Sequence, residues 1–190
     1  RFLVAAWVCP CVSTMLRPLS RLIRQPMARC PARFVHTEAA MAAKGITLPP
    51  YQEAHLCYLK AQRDGNKLHV GLHVGQNAQA EVVRGRVGRS PEASVPVEQA
   101  RQLAEQAGLR MLSTVSHYLD GNLDRVEQVI EVSGMVNAEE DFTDHGMVID
   151  GCSELLVAAL GDRGRHTRAC FGVGSAQGAV GCTMVVRVTD

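Results

Sequence analysis

Apolar and more polar side chains alternate from residue 180 to residue 188. Such alternation is typical of a strand that buries one face. The buried set is predicted to be Val180, Cys182, Met184, Val186 and Val188. Two further strands are predicted over 168–173 and 126–136. In the second of these, the residues expected to share one face are Val126, Ile130, Val132 and Val136.

A β-hairpin is predicted near the start of the patterned region. Residues 58–62 form one predicted strand and residues 67–74 the other. Asp64, Gly65 and Asn66 lie between them, and these residue types favour tight turns.

In two other segments, apolar residues recur with the period of an α-helix. From Ser94, a residue type that favours helix N-caps, to Leu119, one face is apolar and predicts a long helix. Its predicted core positions are Ala100, Leu103, Ala104, Ala107, Met111, Val115 and Tyr118. A second helix is predicted to end before Gly161. Its inward residues are Ile149, Cys152, Leu156 and Ala159.

The predicted order of elements is β-β-α-β-α-β-β. This order indicates an α+β domain in which two helices cover one face of a mixed sheet. The sequence contains no third helix for the opposite face. Oligomerisation is therefore expected to cover that face.

The first 40 residues have a different composition from the rest. They contain six arginines and one acid, Glu38, and an apolar stripe runs beside the arginines after Met15. Mitochondrial presequences have this character. We therefore predict a presequence over 1–40, a domain over 41–190 and a location in the mitochondrial matrix. A retained N-terminal arm is the alternative. Read-through from upstream sequence is one explanation for residues 1–14, which begin without methionine.

Composition and spacing argue against several kinds of partner. A net charge of +1 and 4% aromatic residues do not suggest nucleic-acid binding. The longest apolar run near the N-terminus, about 12 residues, is too short to span a bilayer, which takes about 20. None of the seven cysteines forms a CxxC pair. His69 and His73 would share a strand face but lack a third metal ligand. No metal or cofactor is predicted.

Arg168 is the residue that invites a functional interpretation. It lies at the start of a predicted strand of small apolar residues. A guanidinium in such a place can bind a carboxylate with two hydrogen bonds. An ion pair inside an oligomer interface is the alternative.

Five stretches of the chain resemble the Rid (YjgF-type) family, the reactive intermediate deaminases. They are "GITLPP", "GRVG", "GNLDRVEQVIEVSGMVNAEEDFT", "VIDGCSELLVAALG" and "GDRGRHTRACFGVG". Family members read roughly "GitLP", "GkVG", "GdLdrV" with "GfVNsapdFt", "ViNGaSdLl" and "GraGRHaRsAVGv". The resemblance spans residues 45–188 and is most specific in its second half.

The resemblance implies a chorismate-mutase-like fold and a homotrimer with a site at each subunit interface. It also implies that Arg168 holds a substrate carboxylate, with Cys170 beside it and Tyr58 contributed by the first strand. The implied reaction is the hydrolysis of 2-aminoacrylate-type enamines or imines. A glutamate of the last strand would position the water. The ribonuclease label sometimes attached to the family has no support in this composition.

Several family positions differ here. Gly71 replaces the site serine, and Asp150 replaces the asparagine of "VING". The glutamate position falls on Gly181 or Thr183, neither of which can act as a carboxylate. Asp150 could also pair with Arg168. One hypothesis is therefore a ligand-binding or structural subunit without deaminase activity, within a larger mitochondrial assembly. The other is an active deaminase that uses Asp150 to position water.

Overall fold

The computed structural model describes residues 37–54, 57–90 and 93–190. Within them, the elements are α1 (Thr37–Ala43), β1 (Ala61–Asp64), β2 (Lys67–Val74), β3 (Val87–Gly88), β4 (Val95–Pro96), α2 (Val97–Tyr118), β5 (Val126–Asn137), α3 (His145–Leu160), β6 (Thr167–Val173) and β7 (Val180–Val188). Short 3-10 turns lie at Leu123–Arg125 and Gly161–Gly164.

Five strands form one mixed sheet in the order β1-β2-β7-β5-β6. β5 and β6 are parallel, and the other neighbours are antiparallel. A parallel pair needs a long crossover, which α3 provides. Helices α2 and α3 pack on each other and on the sheet. The α+β class and the predicted order of the five sheet strands and two long helices are confirmed, and α1, β3 and β4 are additional short elements.

Burial along the strands follows the predicted alternation in β7, where the whole predicted set is buried. In β5 the pattern shifts, because the β5–β7 register is irregular between Val126 and Gln128 and again between Val129 and Glu131. Val129 is consequently buried, whereas Ile130 is only half-buried. A bulge adds a residue and so changes which side chain faces the core.

A bulge also separates His69 from His73. Along β2, the four residues from Val70 to His73 match the three residues from Met184 to Cys182 on β7. His73 therefore turns into the core, where it is 4% exposed, while His69 is exposed. The expectation that the two rings share a face was wrong, because strict alternation holds only in a regular strand.

The observed start of α2 differs from the predicted start. Ser94 does not cap α2. The cap is Pro96, because residues 95 and 96 form β4, which pairs in parallel with β3. The end of α3 at Gly161 is as predicted, with φ of 64° in the left-handed region that glycine tolerates.

The first hairpin strand is shorter than predicted. β1 begins at Ala61, which is buried and paired with Val70. Tyr58 and Leu59 precede it and are exposed.

Arg163 fastens α1 to the body of the domain. Its Nη1 donates to the carbonyl oxygen of Val126 at 2.8 Å and lies 3.3–3.4 Å from two more carbonyl oxygens in the adjacent 3-10 turn. Its Nη2 donates to Thr37 Oγ1 at 2.6 Å. The Asp124 carboxylate accepts from the Thr37 backbone N–H at 3.0 Å.

Arg163→Ala is expected to lower the free energy of unfolding by about 2 kcal/mol, since hydrogen bonds from a charged donor are among the stronger ones. The control is Arg165→Ala, which removes only an exposed ion pair to Asp162 and is expected to cost at most about 0.5 kcal/mol. Urea unfolding of both variants measures the difference. Equal effects would contradict the anchoring role.

The predicted presequence covers 1–40, and residues 1–36 lie outside the described part of the chain. The presequence and the domain boundary stay predictions. In the described part, no helix combines the length and the apolar character needed to cross a membrane.

Candidate functional site

Arg168 lies on β6, the edge strand that pairs in parallel with β5. Its side chain projects to the helix side of the sheet. Nη1 donates to Asp150 Oδ1 at 2.6 Å and to Ser153 Oγ at 3.2 Å, both on α3. The 3-10 turn after α3 reverses the chain, so that β6 starts beside the middle of that helix. The Arg168–Asp150 pair that the sequence raised as an alternative is present.

The ion pair is partly exposed. The Arg168 side chain is 29% exposed and that of Asp150 42%. The hydrogen bond to Asp150 is the main reason why the pKa of Arg168 is raised above its usual value. The guanidinium thus carries its charge at every physiological pH, and a carboxylate of the same chain already offsets it.

A serine and a histidine complete this network. Ser153 Oγ lies 3.1 Å from His166 Nε2, and His166 Nδ1 lies 2.7 Å from the carbonyl oxygen of Gly164. Burial and the charge of Arg168 lower the pKa of His166. A neutral His166 ring that donates a hydrogen bond from Nδ1 to the Gly164 carbonyl oxygen can accept a hydrogen bond from the Ser153 hydroxyl at Nε2. Sequence patterns do not predict this pair, because the two residues belong to different elements.

Three thiols lie on the helix side of the same region. Cys170 follows Arg168 by two residues, and Cys152 and Cys182 are fully buried. Burial raises the pKa of Cys170 despite the nearby guanidinium. The pKa of Cys182 is raised well above its usual value by its hydrogen bond with Cys152 and by burial. Cys170 and Cys182 are therefore thiols at neutral pH, whereas the thiolate is the form that acts as a nucleophile.

The two β7 positions considered for the family glutamate lie on the other face of the sheet. Thr183 is opposite Ser133, and Gly181 is opposite Met135. Arg168 is opposite Val132, whose side chain is in the core on the helix side. Within one chain, neither β7 position faces the guanidinium.

Tyr58 precedes β1 and Gly71 lies on β2, both at the opposite edge of the sheet from Arg168. They line a cavity of about 590 Å³. Tyr58 is 53% exposed. The structure therefore divides the five predicted site residues into two groups. Arg168, Asp150 and Cys170 form one group, and the other is Tyr58 with Gly71.

Other polar residues of this cavity were not singled out from the sequence. They are Gln52, Lys60, Gln76, Arg110 and Gln177; His73, considered above only as a metal ligand, also lines the cavity. The sequence does indicate that Arg110 lies beside the core face of α2, because it directly precedes the core residue Met111. A second cavity of about 490 Å³ lies beside β6, and among its lining residues are Arg86, Glu139, Glu140, His145 and Gly172. Among the described residues, no cluster of three or more His, Cys, Asp or Glu side chains could hold a metal ion.

Known proteins resemble the chain in sequence and in fold. Protein TCP17 of Trypanosoma cruzi is 31% identical over 130 residues, which are 68% of this chain and 78% of TCP17. Atu1372 of Agrobacterium tumefaciens, a protein of unknown function, is 30% identical in its crystal structure. It superposes with a TM-score of 0.70 over 80% of this chain and 92% of Atu1372. The chain belongs to the Rid family.

A further solved structure has the same fold. A protein of Shewanella oneidensis, described as a candidate endoribonuclease, superposes on this Rid-family chain with a TM-score of 0.74 and 21% identity. The match covers 81% of this chain and 100% of that one. No model of a known protein family matches the chain.

Proposed function

We propose that this Rid-family chain is a subunit that binds a small carboxylate, or serves a structural role, without hydrolysing imines or enamines. The Arg168–Asp150 ion pair is the observation that carries the proposal. An incoming carboxylate must compete with Asp150 for the guanidinium. While the ion pair is intact, the Asp150 carboxylate is occupied by the guanidinium and is not free to activate water.

The positions on β7 support the same conclusion. Thr183 and Gly181 carry no acid and lie on the opposite face from Arg168. The nearby thiols are protonated, as their raised pKa values indicate. The alternative, an active deaminase, would have to use Asp150 to position water. Arg168 holds the Asp150 carboxylate in place, and this contact is the observation that favours an active deaminase.

A hydrolysis assay distinguishes the two functions. The full chain is incubated with 2-iminobutanoate, and release of ammonia is compared with buffer and with an active deaminase. The expected rate equals that of buffer and is unchanged in Arg168→Ala and in Asp150→Asn. A rate within about tenfold of the active enzyme that is lost in Arg168→Ala would refute the proposal. Loss in Asp150→Asn as well would establish the alternative.

We also propose that the protein assembles as a homotrimer. Four of the six exposed large apolar side chains of the described residues lie at the two edges of the sheet, and the other two, Met147 and Val157, lie on α3. Tyr58, Leu59 and Leu72 are 45–63% exposed near β1 and β2, and Phe171 on β6 is 52% exposed. Apolar patches at two different edges fit head-to-tail contacts that close into a ring. A ring of this kind would also bring the Tyr58 group of one subunit towards the Arg168 group of the next.

We further propose that the protein is located in the mitochondrial matrix and belongs to a larger assembly there. The arginine-rich residues 1–40 support the location. Native mass spectrometry of mitochondrial extract would test the trimer and the assembly together. A free trimer alone would remove the assembly, and a mature protein that keeps residues 1–36 would contradict cleavage.

A further inference from the structure

The backbone fixes which nitrogen of His166 carries the proton. Nδ1 lies 2.7 Å from the Gly164 carbonyl oxygen, and Nε2 lies 3.1 Å from Ser153 Oγ on α3. A carbonyl oxygen can only accept, so Nδ1 donates to it and Nε2 of the neutral ring accepts from the serine hydroxyl. A serine whose proton points at a neutral imidazole has the arrangement of a nucleophile and its base.

The imidazole of His166 is a free base at neutral pH. Burial is the largest cause that lowers its pKa, the charge of Arg168 lowers it further, and the hydrogen bond to Gly164 opposes both. The ring therefore has a lone pair at Nε2 for the serine proton at pH 7. Ser153 and His166 are half-buried, so the serine oxygen is shielded from bulk water without being sealed in the core.

Arg168 places positive charge beside the serine oxygen. Both of its hydrogen bonds to α3 use Nη1, one to Asp150 Oδ1 at 2.6 Å and one to Ser153 Oγ at 3.2 Å. A hydroxyl oxygen has two lone pairs, so Ser153 can accept from Arg168 and still attack a substrate with the other. Neither bond uses Nη2, which lies beside Gly146, a residue without a side chain to cover it. The Nη2 hydrogens are thus placed to meet a second oxygen close to the serine.

We propose that Ser153 is the nucleophile of an activity separate from carboxylate binding, the hydrolysis of small acyl esters, with His166 as its general base. Ser153 Oγ bonds to the acyl carbon while its proton moves to His166 Nε2, and the Arg168 Nη2 hydrogens stabilise the negative carbonyl oxygen. The C–O bond of the ester then breaks, and the alcohol leaves with the proton from Nε2. Water attacks the acyl-serine and gives a proton to Nε2, which returns it to the serine oxygen as the acid departs.

All the groups of this site belong to one chain. The proposed trimer would bring the Tyr58 group of the next subunit towards Arg168, and for this reason the substrate is a small ester rather than a long-chain one. The tests therefore use the full chain in its assembled state and small reagents.

Phenylmethylsulfonyl fluoride tests the nucleophile, because a serine oxygen activated by a base displaces fluoride from its sulfur. The full chain is treated at neutral pH, and its intact mass and its proteolytic peptides are measured. One sulfonyl group per chain, on Ser153, is expected. No adduct, or adducts on other residues only, would overturn the proposal. The experiment needs no variant, so its result does not depend on the folding of a mutant.

Variants assign the roles of the two side chains. Ser153→Ala is expected to abolish the adduct. His166→Gln keeps hydrogen-bonding groups but has no base, and it is expected to slow labelling about a hundredfold, within the range that general-base catalysis supplies. The matched control is Ser116→Ala on α2, since the neighbouring His117 stacks on Tyr51. This control should react as the unmodified chain does, and equal rates in His166→Gln and the unmodified chain would overturn the proposal.

Turnover of p-nitrophenyl acetate tests the complete reaction. Release of p-nitrophenol is expected to exceed the rate in buffer and to return to that rate in Ser153→Ala. A buffer rate for the unmodified chain, or an unchanged rate in Ser153→Ala, would overturn the ester hydrolysis. The imine assay reports separately on the proposed function, because it uses a different substrate and compares Arg168→Ala with Asp150→Asn.

Discussion

Gly151→Ala is expected to lower the free energy of unfolding by about 3 kcal/mol, the upper end of the usual cost of overpacking a core. Gly151 is fully buried on α3, where α3 crosses α2. A Cβ atom at this position would lie 2.2 Å from the backbone carbonyl oxygen of Arg101. Backbone cannot rotate away as a side chain can, so the two helices would have to separate. That separation would loosen their packing against each other.

Gly146→Ala is the matched control on the same helix. A Cβ there would meet only Arg168 Nη2, at 3.5 Å, which is an ordinary contact. Alanine favours helix by about 1 kcal/mol over glycine, so this variant should be neutral or slightly stabilised. Urea unfolding of the two variants gives the comparison. If Gly151→Ala were as stable as Gly146→Ala, the close crossing of α2 and α3 would be contradicted.

Acidification is expected to remove about 3 kcal/mol of stability through His73. Burial, together with the charges of Lys60 and Arg110, lowers the pKa of this histidine to about 4. In the unfolded chain the pKa of a histidine is about 6.5. Between these values the unfolded chain takes up a proton that the folded chain does not. Stability therefore falls as the pH drops from about 6.5 to about 4, and this contribution is constant below that range.

The variant His73→Gln isolates this effect. Glutamine has no titrating group, so the part of the pH dependence due to His73 should disappear, while that of His166 and of the carboxylates remains. The measurement is the free energy of unfolding at pH 7 and at pH 4.5 for both proteins. The unmodified chain should lose about 2–3 kcal/mol more than the variant. Parallel losses would show that His73 is not the group responsible.

Regular alternation and helical periodicity predicted most of the fold correctly. In β7 every second residue is buried as expected, and α3 ends at Gly161 as predicted. The pattern failed where the backbone departs from regular geometry. His73 and Val129 follow bulges, and an inserted residue reverses the face of every residue after it.

The candidate site was only partly predictable. The sequence motifs single out Arg168 and Asp150 and suggest their pairing, which the structure shows. The pairing of Ser153 with His166 was not predicted, because the two residues are thirteen positions apart and a turn lies between them. Arg110 was also missed, since the sequence does not show that neutral amides, rather than acids, surround it.

The sequence by itself determined the class of the fold, the order of its elements and the presence of a cation at the start of β6. These properties follow from local periodicity and from short motifs, which the chain carries whatever its tertiary contacts. The tertiary structure alone decided which charges are neutralised. Asp150 comes within 2.6 Å of Arg168, whereas no described carboxylate comes within 4 Å of Arg110. The distance between two charged groups depends on how helices and strands pack, and electrostatic interaction depends on that distance.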